Sequence, residues 1–327
     1  DHLMPVTILA VGEVVDGVLT RLSTEVATLA RGLAGAAGGA AVGLVVDAAP
    51  EAAAGQLAAF VPRVIAVTNP ALTGEVIAPH VAAEIVRLLG EDVTHVVMGA
   101  TTDGRDIAGM LVGLTGLGLL ANADEASWAG EGPVIRSSVL GGRAVTTSAL
   151  TAGSGLITLR PGGVTASEAG TAGSVESRQP AAPAGPTATV LDRVAEAGAA
   201  VSLEDAHVVV VGGRGVGSAE GFAIVEELAN LLGGVAGATR ASVDAGWVPY
   251  SRQIGQTGRV VKPELYLGLG VSGAMQHRVG MQGSEVIVAV NRDQDAPIAE
   301  VADLLVLGDL LDVGPALVAE PRARRGG

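Results

Sequence analysis

The residues best suited to chemistry in this chain fall in five short segments of its last third. The first is VVVVGGRGVG at 208–217, an apolar run ending in glycines around a single arginine. Glycines between a strand and a helix leave backbone N–H groups near an anion, and Arg214 adds a guanidinium suited to phosphate. The same residues also read as a tight strand-to-helix turn. The dinucleotide fingerprint GxGxxG is not met, because counting from Gly213 its third glycine is Ser218. The second segment is TRASVDAGWVP at 239–249, followed by SRQIGQTG at 251–258. Its amides, hydroxyl and two glycines suit backbone approach to a flat or phosphorylated ligand, with an ordinary polar loop as the other reading. The third, GVSGAMQH at 270–277, follows another apolar strand and places His277 just past a glycine elbow, where a histidine is either structural or functional. The fourth, VAVNRD at 288–293, and the fifth, GDL at 308–310, are further strand ends. Strand carboxyl ends are where doubly wound sheets bind ligands.

These segments need a parallel sheet behind them, and the pattern supplies one. In the first half, short apolar runs at 6–11, 41–46, 64–67 and 95–99 read as strands. They alternate with helical stretches at 19–33, 51–60, 75–89 and from about 105. Strands alternating with helices predict a parallel sheet covered on both faces. Runs at 134–140, 143–148 and 155–159 predict added strands, and 161–190, rich in Pro, Gly, Ser and Ala, reads as a surface strand and linker. Beyond it, strands at 207–211, 265–270, 286–290 and 303–306 and a helix at 218–232 make a second α/β domain. The expectation is two Rossmann-like, doubly wound parallel-sheet domains, with boundaries at 1–190 and 191–327. The most membrane-like stretch, 107–121, is shorter than the roughly 20 apolar residues of a bilayer span and reads as a buried helix. The opening Asp1-His2-Leu3 reads as a cloning remnant ahead of Met4.

With 327 residues, 49% hydrophobic and 17% charged, the chain can bury a large core for each domain. Aromatics are only 2%, against 48 glycines, so that core must be aliphatic and its turns tight. The absence of cysteine excludes disulfides, iron–sulfur clusters, thiol nucleophiles and thiolate zinc sites, and no metal site is expected. A net charge of −14 argues against nucleic-acid binding and suits steering toward protein partners. A bacterial cytoplasmic location is expected.

Taken in order, the segments GGRG (212–215), TRASVDAG (239–246), QIGQTGRVVKPELY (253–266), GVSGAMQH (270–277) and AVNRD (289–293) resemble the α subunit of electron-transfer flavoprotein. The first half agrees more loosely, through Gly104-Arg105-Asp106 and TLRP at 158–161. The resemblance implies an electron carrier without substrate turnover of its own, with FAD extended across the C-terminal domain and the N-terminal domain contacting a partner β subunit. It implies three redox-tuning residues. Arg240 would lie over one flavin face, Thr257 would present its hydroxyl to N5, and His277 would lie near the N1/O2 edge, where charge appears on one-electron reduction. The remaining FAD-binding set is Arg214, Thr239, Gln253, Ile254, Gly255, Gln256, Ser272, Gly273, Ala274, Met275 and Gln276, with Asn291, Asp309 and Leu310 toward the adenosine end. It also implies AMP or a second FAD in the β subunit, acyl-CoA or other flavin dehydrogenases as donors, as in fatty acid oxidation, and a quinone-reducing or other acceptor. A two-domain enzyme or regulatory subunit binding NAD or an adenine nucleotide is the other reading that the fold allows.

Overall fold

The computed structural model describes residues 5–140, 144–150, 153–192, 203 and 206–325. The expected remnant at the start lies outside these residues. The chain forms two compact units, Asp1–Val139 with Arg143–Ala195, and Leu140–Gly142 with Glu196–Gly327.

The N-terminal unit is built from β1 (Thr7–Gly12), β2 (Val14–Val15), β3 (Val18–Leu19), α1 (Arg21–Ala36), β4 (Ala40–Asp47), α2 (Glu51–Leu57), β5 (Arg63–Thr68), α3 (Ala78–Leu89), β6 (His95–Gly99) and α4 (Thr102–Thr115). It continues through β7 (Gly118–Ala123), β8 (Glu125–Ala129), β9 (Gly132–Val139), β10 (Ala144–Ala149), β11 (Gly155–Leu159) and β12 (Ser174–Arg178). Seven strands form one sheet in the order β12-β5-β4-β1-β6-β11-β7, every pair parallel. Successive residues of β1 face opposite sides: Ile8 and Ala10 join the core under α1 and α2, Leu9 and Val11 the core under α3 and α4. Because both faces are covered, the strand reads as an unbroken apolar run. Strands β8, β9 and β10 make a separate antiparallel sheet.

One expectation changes here. The helix expected over 107–121 ends at Thr115, because Gly116 takes φ +70° and closes it with a left-handed cap. The Leu-rich remainder becomes β7, the edge strand beside β11. The surface strand expected within 161–190 is β12, which pairs in parallel with β5 from Ser174↔Arg63 to Arg178↔Val67. Arg160 of the TLRP segment bonds Asp124 Oδ1 at 3.2 Å and the Ser138 carbonyl at 3.3 Å, tying the small sheet to the end of β11.

The C-terminal unit contains β13 (Val208–Gly212), α5 (Ala223–Leu231), β14 (Val235–Ala238), α6 (Arg240–Asp244), β15 (Leu265–Leu269), α7 (Met275–Arg278), β16 (Val286–Asn291), β17 (Leu304–Leu307) and α8 (Leu310–Arg325). Its five strands run parallel in the order β14-β13-β15-β16-β17. Val210 points into one core and Val209 and Val211 into the other, so this sheet too is packed on both sides. The helix expected at 218–232 begins only at Ala223, after a turn in which Ser218 Oγ accepts from Gly221 N at 3.1 Å.

Candidate functional site

The five chemistry-bearing segments converge on one edge of the C-terminal sheet. All five strands are parallel, so their carboxyl ends lie together, and the segments run through or follow such ends. After β13 the chain moves to β14 on one side and then to β15 on the other. The switch point, where ligand crevices form in such sheets, therefore lies between the ends of β13 and β15.

Two glycine turns interlock at that point. Gly213 N bonds the Leu269 carbonyl at 2.9 Å, and Gly215 N bonds the Gly270 carbonyl at 3.0 Å. A Cβ on Gly213 would come within 2.3 Å of the Gly270 oxygen, and one on Gly270 (φ +62°) within 2.6 Å of the Gly215 Cα. These glycines serve backbone-to-backbone approach. Of the N–H groups expected to be unpaired in this turn, those of Gly213, Gly215, Val216 and Gly217 donate to protein carbonyls. Arg214 is exposed beside the turn and adds a guanidinium to it.

The next strand end carries Thr239 and Arg240. Thr239 is buried, its hydroxyl 3.4 Å from that of Ser242, which itself donates to the Gly212 carbonyl at 3.0 Å. Arg240, the first residue of α6, is exposed and pairs with Asp244 at 3.2 Å. An exposed pair of this kind contributes at most about 1 kcal/mol, so the guanidinium is readily recruited by a ligand.

The 253–258 loop is stitched to the same edge. Ile254 N bonds the Ala238 carbonyl at 2.9 Å, extending the end of β14, and Gln256 N bonds the Gln276 carbonyl at 2.7 Å. Gly255 takes φ +140°, with its Cβ position 2.7 Å from the Gln276 oxygen, so a side chain is excluded. Buried Gln253 donates from Nε2 to Thr257 Oγ1 at 3.0 Å, while Tyr250 Oη donates to the Thr257 carbonyl. Thr257 is thus held through both its hydroxyl and its backbone, yet remains exposed.

Along the β15 end, Ser272, Ala274, Met275 and Gln276 are exposed, while Gly273 (φ +73°) backs onto the Ile298 backbone at 2.4 Å from its Cβ position. His277 is buried and does not present its ring nitrogens to solvent. Nε2 lies 2.7 Å from Tyr266 Oη, and Nδ1 lies 3.0 Å from the Ile254 carbonyl. Burial pushes its pKa down to about 4, against a smaller upward pull from the Ile254 carbonyl, so the ring is neutral at pH 7. Asn291 donates to the Val271 carbonyl at 2.8 Å and accepts from Asp293 N at 3.0 Å, holding two strand ends together. The Asp309 carbonyl accepts from Asp312 N and Val313 N in the first turn of α8, and Leu310 packs into the core.

The arrangement separates supports from contacts. Gly213, Gly215, Gly255 and Gly273 shape the edge, and Thr239, Gln253, Ile254, His277 and Leu310 are buried behind it. Arg214, Arg240, Gln256, Thr257, Ser272 and Gln276 line it with cations, amides and hydroxyls. Exposed donors along a glycine-shaped crevice fit an elongated, anionic ligand with a polar ring system, which is the chemistry of FAD. Sequence reasoning missed Tyr250 and Tyr266. A tyrosine inside a polar loop was the available signal for the first, and nothing in the spacing marked the second. No group of His, Asp and Glu among the described residues could hold a metal ion.

Two family models match the chain. Residues 202–282 match the electron transfer flavoprotein FAD-binding domain, and residues 8–185 match the electron transfer flavoprotein domain. The electron transfer flavoprotein subunit alpha of Mycobacterium leprae is 46% identical over 232 residues, covering 71% of this chain and 72% of that protein. The subunit of the same name from Paracoccus denitrificans is 38% identical over 313 residues, 96% of this chain and 99% of that protein. The one from Bacillus subtilis is 40% identical over 233 residues, 70% and 71% respectively. The fold and edge define a flavin-binding α/β protein, and the chain belongs to the electron transfer flavoprotein family as an alpha subunit. It is an electron carrier, and the NAD or adenine-nucleotide enzyme reading is set aside.

Proposed function

We propose that FAD lies along the carboxyl edge of the C-terminal sheet. Arg240 covers one face of the flavin ring, Thr257 turns its hydroxyl to N5, and the N1/O2 edge faces the part of the loop held by His277. When bound, the flavin supplies one-electron redox chemistry. Arg240, a planar and permanently charged group, stabilises negative charge gained by the ring. Gln253 keeps the Thr257 hydroxyl fixed. His277, neutral and with both nitrogens engaged, acts by holding the Ile254 backbone instead of offering charge. Arg214 and Ser272 to Gln276 line the chain and phosphates, and Asn291, Asp309 and Leu310 shape the adenosine end.

The N-terminal unit, expected over residues 1–190, serves as the surface for an electron transfer flavoprotein β subunit carrying AMP or a second FAD. The family supports a β partner. Acyl-CoA or other flavin dehydrogenases donate the electrons, and a quinone-reducing protein accepts them, in the bacterial cytoplasm. An acidic chain suits salt-dependent steering of such transient encounters. Among the described residues, no helix is long and apolar enough to cross a membrane.

The observation that carries this reading is the pair of interlocked glycine turns at the switch point, flanked by exposed Arg214, Arg240, Thr257 and Gln276. The test is an absorption spectrum of the chain co-purified with its β partner, followed by anaerobic stepwise reduction. A flavin spectrum passing through a one-electron stage is expected. A colourless complex that stays colourless after FAD is added back would overturn the assignment.

A further inference from the structure

His277 and Tyr266 stand on different elements, α7 and β15, and meet inside the core of the C-terminal unit. Tyr266 is fully buried among Val209, Val211, Ile254 and Met281. Its Oη is 2.7 Å from His277 Nε2, and on the other side of the ring Nδ1 is 3.0 Å from the Ile254 carbonyl oxygen. A carbonyl oxygen can only accept, so Nδ1 carries the ring proton. A neutral imidazole has one donor and one acceptor, so Nε2 holds a lone pair, and the phenol donates to it. Tyr266 is able to donate at all accessible pH, because burial pushes its ionisation well above the ordinary tyrosine range.

We infer that Tyr266 is the positioning residue that fixes His277 as the Nδ1–H tautomer and opposes its protonation, so that the Ile254 carbonyl and the loop it begins are held beside the ligand edge. Protonating Nε2 would place two donors face to face unless the phenol rotated away. The two hydrogen bonds of the ring go to uncharged groups, the Tyr266 hydroxyl and the Ile254 carbonyl. The Arg278 side chain turns to Glu300 at 2.6 Å and the Pro297 carbonyl, and Arg259, on the loop, is exposed. Burial and the Ile254 carbonyl are the causes that move its pKa, and their balance favours the neutral form. The tautomer follows from the protein atoms alone. Its consequence for the flavin rests on the FAD reading proposed above.

The test is a long-range 15N–1H spectrum of the full chain with 15N-labelled histidine, taken with and without FAD, using His277→Gln to assign the signals. The expected pattern is a protonated Nδ1 and an acceptor Nε2 for His277, unchanged between about pH 5.5 and 7.5, where ordinary histidines titrate. In Tyr266→Phe, loss of the donor to Nε2 should raise the proton affinity of His277 by about tenfold, the equilibrium equivalent of one hydrogen bond. A protonated Nε2 in the wild-type chain would overturn the inference, as would an unshifted titration in a folded Tyr266→Phe. Should that variant not fold, the wild-type pattern decides alone. A chain that binds FAD but shows the Nε2–H tautomer refutes the Tyr266 assignment only. One that shows the Nδ1–H tautomer but never takes up FAD refutes the flavin reading and leaves Tyr266 in its role.

Discussion

In the N-terminal unit, β1 marks the switch point, with β4 on one side and β6 on the other, and it runs straight into Glu13. The Glu13 carboxylate accepts from the Thr101 hydroxyl at 2.9 Å, and that hydroxyl in turn accepts from Gly104 N to cap α4. Glu13 N and carbonyl are both bonded to Ser23 Oγ, at 2.8 and 3.3 Å. Asp103 lies in the first turn of the same helix, its pKa raised by burial and by Asp106. At the equivalent position after β13 the C-terminal unit has Gly213 and Arg214, where β1 is followed by Glu13. Two parallel sheets thus differ at the place where ligands bind. The N-terminal edge brings its own negative charge to the helix terminus, and the C-terminal edge leaves room and positive charge for a ligand. Function was placed by the residues at the strand ends, while the strands themselves served both edges alike.

The comparison breaks most severely if the glycine turns are filled. Gly213→Ala or Gly270→Ala drives a Cβ into the opposing backbone and should destabilise the C-terminal unit by about 3 kcal/mol. Protein purified with its β partner should lose most of its FAD, read by denaturation midpoint and flavin absorbance. A variant of normal stability and flavin content would mean that the turns need not touch.

The next effect comes from pH. The native pKa of His277, about 4, lies below its unfolded value of 6.5, so the unfolded chain takes the proton first. The stability this difference provides is present above pH 6.5 and is lost as pH falls toward 4. Between pH 7 and pH 5 the loss should be about 2 kcal/mol. Denaturation curves at both values, compared with His277→Gln, isolate it, and equal slopes in the two proteins would mean that His277 is protonated in the native state.

Arg240→Ala should leave folding almost untouched, because its partner Asp244 is exposed. The flavin potential should fall by roughly 60 mV, tenfold in a one-electron equilibrium. A potentiometric titration that finds it unchanged would remove the guanidinium from the ring. The smallest effect is expected on the other side of the comparison. Glu13→Gln keeps an acceptor for Thr101 and should cost about 1 kcal/mol at most, with FAD content and potential unchanged. Flavin loss in that variant would show that the N-terminal edge takes part in the site.

Much of this was legible in sequence because buried parallel strands announce themselves. The expected run 95–99 coincides with β6, and the runs assigned to β1, β4, β13 and β15 differ from the observed strands by a residue or so at each end. A surface strand was expected within 161–190, but the sequence SVESR of β12 left its bounds open, since an exposed edge strand carries no apolar signal. The Leu-rich segment after Gly116 failed for the opposite reason: it suits helix and strand alike, and only the left-handed cap decides between them. In the site, polar residues at strand ends were found because exposure leaves them polar. The contact between Tyr266 and His277 was not, because it joins two elements whose separation along the chain carries no periodicity.

The pairing of β12 with β5 also has a consequence for synthesis. Ser174 completes its ladder on Arg63, so the seven-stranded sheet lacks its outer strand until the chain has travelled through all the intervening elements and returned. Until then the β5 edge, apolar at Val64, Ile65, Ala66 and Val67, has backbone groups with no neighbouring strand. A ribosome making this protein therefore releases the last piece of the first unit only shortly before it begins the second. Through that interval the open edge is free to pair with a wrong strand, so slow completion of the first unit is where misfolding of this chain should concentrate.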